Sequence, residues 1–93
     1  MEVKQKIESR MMRAADGGRL LLDYYLLAHL DEPNQCLAGP YGIEIVLRCP
    51  DGERRDACRN MTASRKKALA LIHIFAAHTV LPSGICGTLG TAG

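Results

Sequence analysis

Apolar and polar residues interleave along the first dozen positions, with Val3, Ile7 and Met11 at even separations and Lys4, Lys6, Glu8 and Arg10 between them. This period of two predicts a half-buried strand with those three apolar residues on its inner face. Asp16-Gly17-Gly18 then predicts a tight turn, because glycine reaches positive φ without a Cβ clash. The returning arm, Arg19 to His29, is apolar at Leu20, Leu22, Tyr24 and Leu26 and also at Leu21, Tyr25 and Leu27. Both of its faces need cover, which suits a central strand, although a leucine-rich run of this length is also compatible with a helix.

Leu30 to Pro40 carries two prolines, a glycine, Asp31 and Asn34, and reads as a long loop. The clearest alternation follows, with Tyr41, Ile43, Ile45, Leu47 and Cys49 on one side and Gly42, Glu44, Val46 and Arg48 on the other. It predicts a third strand. Pro50 to Glu53 turns the chain back, and Arg54 to Asn60 reads as a polar edge strand. Thr62 or Ser64 is placed to cap a helix running to about Thr79, whose apolar stripe is Ala68, Leu71, Ile72, Phe75 and Ala76. Pro82 and Gly84 end it.

The predicted architecture is α+β: a four-stranded antiparallel meander with one C-terminal helix packed on one face. Residues 1–82 form the domain and residues 83–93, small and uncharged, form a flexible tail. One helix covers one face only. Leu21, Tyr25, Leu27 and Val46 are therefore expected on an open apolar face, available to a protein partner or to a second copy in a homodimer; the competing account is cover by strand twist, the 30–40 loop or the tail.

With 93 residues, 47% of them hydrophobic, the chain has the composition of one globular domain rather than of a disordered segment. Its first residues lack the apolar stretch of a signal peptide, and Ala68 to Leu81 is too short to span a bilayer. The reading is a cytoplasmic protein without membrane contact. Its four cysteines are then expected to stay reduced.

Leu22-Asp23-Tyr24-Tyr25-Leu26-Leu27, then Tyr41-Gly42-Ile43-Glu44-Ile45, then Met61-Thr62-Ala63-Ser64 opening a helix that ends in Val80-Leu81-Pro82, together resemble a family of small bacterial proteins. The family is known mainly from genomes of spore-forming anaerobes and is classed as a domain of unknown function. The resemblance spans most of the chain and implies a fold, but no activity, cofactor or catalytic residue. Family members continue after the proline with acidic residues, and Ser83 to Gly93 has none.

The spacing of chemically capable residues is unfavourable to most sites. Cys36, Cys49, Cys58 and Cys86 contain no close C-x₂-C pair, so a zinc-stapled domain requires four separate elements to converge. Cys49 and Cys58 are nonetheless expected to approach each other across the Asp51-Gly52 turn, with His29 in reach. His73 and His78, five apart, do not share a helix face; one is expected in solvent and the other at the core border. No nucleophile–base pairing and no phosphate-cradling glycine loop is recognisable, so no enzyme activity and no cofactor are expected.

From Arg48 to Lys67, seven cations face three carboxylates. Arg65, Lys66 and Lys67 fall in the first helical turn, where the helix dipole already favours acids, at a cost of roughly 0.3–1 kcal/mol per charge. With Arg59 they form an expected anion-binding corner for an acidic protein or nucleic acid. The leading expectation is a small non-enzymatic protein-interaction module; the alternatives are a nucleic-acid-binding protein, or a phage-derived inhibitor of a nucleic-acid enzyme, and a zinc-stapled structural domain.

Overall fold

A computed structural model describes residues 2–15, 17–29, 39–50 and 52–82. Four strands, β1 (Glu2–Arg13), β2 (Arg19–His29), β3 (Tyr41–Cys49) and β4 (Gly52–Thr62), precede one helix, α1 (Arg65–Ala77). The strands form one antiparallel sheet in the order β1-β2-β3-β4, which is the predicted meander. The expected tail, most of the 30–40 loop, Asp16 and Asp51 lie outside the described residues.

The helix packs on the face formed by Leu22, Tyr24 and Leu26 of β2 and Ile43 and Ile45 of β3. Ala68, Ile72, Phe75 and Ala76 fill that core from the helix side. Leu71, expected in the stripe, borders it as a half-buried residue. The Tyr24 phenol donates to the Val80 carbonyl at 3.0 Å, and burial pushes its pKa up to about 12, so it stays a neutral donor.

Capping explains where the helix begins and ends. Ser64 Oγ accepts the Lys67 N–H at 3.2 Å. At the other end Val80 N–H reaches Phe75 O at 2.9 Å and Thr79 N–H reaches Ala76 O at 3.2 Å, the Schellman pattern. That motif needs a left-handed residue, and the β-branched Thr79 supplies it at φ +47°. Thr79→Gly should therefore stabilise the fold by roughly 0.5–1 kcal/mol, measured by urea unfolding.

Two irregularities alter the expected faces. In β1 the register shifts between Lys6 and Glu8, leaving Ile7 as an extra residue. Beyond that bulge the parity reverses: Met12 packs towards the core, and Met11, expected inside with Val3 and Ile7, points to the opposite face, 68% exposed. Val3 is exposed as well. In β4, which is longer than the predicted edge strand, the three residues between Cys58 and Thr62 oppose the single residue between Ile43 and Tyr41. Asn60 takes a left-handed φ of +58° there. This second bulge folds over Gly42, where a Cβ would strike the Cys58 carbonyl and come within 2.8 Å of Arg59 Cα.

Candidate functional site: the helix-free face of the sheet

The face away from the helix carries Lys4, Lys6, Ser9, Met11 and Arg13 of β1; Arg19, Leu21, Asp23, Tyr25, Leu27 and His29 of β2; Glu44, Val46 and Arg48 of β3; and Glu53, Arg55 and Ala57 of β4. The expectation that it lies open as an apolar surface is overturned at its middle. Leu27 is 0% exposed and Val46 1%, while Leu21 and Tyr25 are half-buried. Arg59 Nε donates to Glu2 Oε2 at 2.8 Å, and His29 Nε2 lies 2.7 Å from the same oxygen. These contacts gather Glu2, His29 and Arg59 at the end of the face where Leu27 opposes side-chain-less Gly42.

Two carboxylates are also buried on this face, Asp23 at 1% and Glu44 at 3% exposure. A buried carboxylate requires compensation, and each has a cation. Asp23 accepts Ser9 Oγ at 2.8 Å and Arg48 Nε at 3.1 Å. Lys4 Nζ lies 2.6 Å from Glu44 Oε1, yet that oxygen has no well-directed hydrogen bond, so its compensation is chiefly electrostatic. Tyr25 sits between the two pairs. Lys4 Nζ lies 5.4 Å from its ring centroid, and Arg48 Nη2 approaches its hydroxyl at 3.4 Å. Hydrogen bonds to Tyr25 and Asp23 hold the Arg48 guanidinium above its ordinary pKa.

The outer layer of this face is cationic. Arg55 pairs with Glu53, to which Arg48 also comes within 3.8 Å. Arg13 and Arg19 stand directly opposite each other across the hairpin, both exposed. Among the described residues neither they nor Lys6 makes an ion pair. Like charges in directly opposed cross-strand positions repel.

The expected anion-binding corner is not assembled as one site. Arg59 is engaged by Glu2 on the helix-free face, whereas Arg65 reaches Gln5 Oε1 at 3.3 Å on the helix side. Lys66 and Lys67 are exposed in a first turn that contains no acid. The cysteines do not converge either. Cys49 pairs with Gly52 and Cys58 with Ile43, six positions apart along β3, or roughly 20 Å at about 3.4 Å per residue. Cys36 and Cys86 lie outside the described residues, among which no group of three or more metal-ligating side chains occurs. Cys49 instead lines a half-open cleft of about 450 Å³ with Leu20, Leu47, Pro50 and Arg54. Among the described residues no helix is long and apolar enough to cross a membrane.

His73 and His78 are both exposed, so neither borders the core. His73 Nδ1 lies 2.6 Å from Glu8 Oε2, tying α1 to β1. That contact, followed by Arg10, holds the Glu8 carboxyl below the ordinary value of 4.5. Arg59, and to a smaller extent His29, lowers Glu2 in the same way, against the opposing effect of burial. Carboxyls depressed by folding contribute stability that is complete above about pH 4.5 and lost as pH falls through their folded values. The urea midpoint should therefore drop on acidification below about pH 4.5, with a shallower drop in the Glu2→Gln, Glu8→Gln double variant.

Neither the buried acids Asp23 and Glu44 nor the β4 bulge was anticipated from the pattern of residues. Gly42 inside an alternating strand was the available signal for the bulge. No curated protein and no solved structure matches the chain at a significant level. A family model does match, over residues 3–87, and the chain accordingly belongs to the family of unknown function DUF6514.

Proposed function

We propose that this chain is a small non-enzymatic protein-interaction module that binds an acidic protein surface through the helix-free face of its sheet. The observation that carries the reading is the Arg13–Arg19 cross-strand pair, which holds two cations, neither ion-paired among the described residues, in register beside Leu21 and the exposed Met11. An acidic partner relieves that repulsion and gains an apolar centre. Tyr25, pinned by Lys4 and Arg48, supplies the rigid aromatic anchor of the kind enriched at interface centres.

The same charge bears on the competing readings. A two-fold homodimer through this face would bring its basic rim against itself, which disfavours self-association there. Phosphate backbones also attract such a rim, but one tyrosine is a poor stacking platform for bases.

Titration of the purified chain with poly-glutamate and with duplex DNA across a salt series tests the proposal, alongside light scattering for self-association. Binding to poly-glutamate should fall at least tenfold in the Arg13→Glu, Arg19→Glu variant and in Tyr25→Asp, with the circular dichroism spectrum unchanged. Equal binding by wild type and charge-reversed protein, or a preference for DNA, would sink it.

A further inference from the structure

The helix covers only part of the face it packs on. It starts just after Thr62, which pairs with Tyr41 at the opening of β3, and by its far end the Tyr24 phenol already meets the Val80 carbonyl at 3.0 Å. Tyr24 stands opposite Ile45, so β3 runs on from there to Cys49, roughly 14 Å further at about 3.4 Å per residue. On the helix side this stretch presents Leu47 and Cys49, beside Leu20 of β2, and all three are only half-buried. They line the cleft of about 450 Å³. A second cleft of about 260 Å³ adjoins it, sharing Leu47 and Arg54, and Leu81 and Pro82 line that one as well. Together the two make a groove that leads away from the point where the chain leaves the helix.

Pro82 is the last described residue, and it is buried at the near end of this groove. The sequence after it is Ser83-Gly84-Ile85-Cys86-Gly87-Thr88-Leu89, without a charge. Three residues of extended chain span up to about 10 Å, whereas Leu47 and Cys49 are about 7 Å apart along β3. Ile85 is therefore within reach of the larger cleft. Gly84 and Gly87, with no Cβ, let a backbone lie close against the strands. Apart from Glu53 and Arg54, whose charges cancel, the lining of the larger cleft is uncharged, which matches an apolar peptide better than an anion or a cation.

We infer that the segment following Pro82 runs along this groove as a strap, with Ile85 seated between Leu20, Leu47 and Cys49. Seated there, it extends the helix-side core past the end of α1 and shields the Cys49 thiol. The strap lies on the face opposite the proposed partner surface, so the inference is independent of that reading.

Methyl NMR and thiol labelling of the full chain test it together. The Ile85 methyls should show NOEs to the methyls of Leu20 and Leu47. Labelling with N-ethylmaleimide, followed by peptide mass mapping, should be about tenfold faster at Cys49 in Ile85→Asp than in wild type, while Cys58 keeps its rate as the internal control for the fold. The wild-type rate should not vary with protein concentration. Absent Ile85 NOEs overturn the strap whatever the variant does, and so does an equal Cys49 rate in wild type and in an Ile85→Asp protein whose Cys58 rate is unchanged. Cys49 labelling that accelerates on dilution makes a second copy the occupant and overturns it as well.

Discussion

Gly42→Val should lower the free energy of unfolding by about 3 kcal/mol, even though valine is the better strand former. The added side chain points into the space taken by the β4 bulge, where a Cβ alone would meet the backbone of Cys58 and Arg59. Backbone cannot move aside as a flexible side chain does, so the bulge must open and surrender the Arg59–Glu2 and Asn60–His29 contacts. For a chain of this length the loss corresponds to a fall of roughly 12–24 °C in melting temperature. Thermal unfolding measures it, and a change under about 5 °C would show that the bulge moves at little cost.

Ile72→Ala should cost about 3 kcal/mol through a different route. Ile72 is fully buried at the centre of the helix–sheet contact, with Leu22, Tyr24 and Phe75 in the same cluster. Alanine is the stronger helix former by about 0.4 kcal/mol, so propensity alone predicts a small gain. A large net loss isolates the cavity left in the core from any effect on the helix. Urea unfolding should show a lower midpoint with an unchanged slope.

The elements that alternate cleanly were legible in the sequence. Tyr41–Cys49 and the Ser64-capped helix sit where the pattern places them, because their period agrees with their burial. β1 misled because one extra residue near Ile7 reverses parity, so that a pattern spanning the bulge joins residues from opposite faces. The helix-free face misled for a chemical reason. Carboxylates ordinarily face water, yet arginine and lysine heads reach across from neighbouring strands and allow Asp23 and Glu44 to be buried. That pairing depends on register, which the hydrophobic pattern does not encode. The cysteines illustrate the same limit, since turn proximity suggested a meeting that the ladder places about 20 Å out of reach.

The extra residue in β1 also sets where this strand can change length. Lys6 opposes Tyr25 and Glu8 opposes Tyr24, so excision of Ile7 would join two halves already aligned with consecutive residues of β2. Every remaining side chain would keep its side of the sheet, at the cost of one apolar contact with the core. Removing a residue within the Glu8–Arg13 half would instead slide one portion of the strand past its partner and turn its lining outward. Natural chains built on this plan should therefore gain or lose a single residue in their opening strand chiefly at this point.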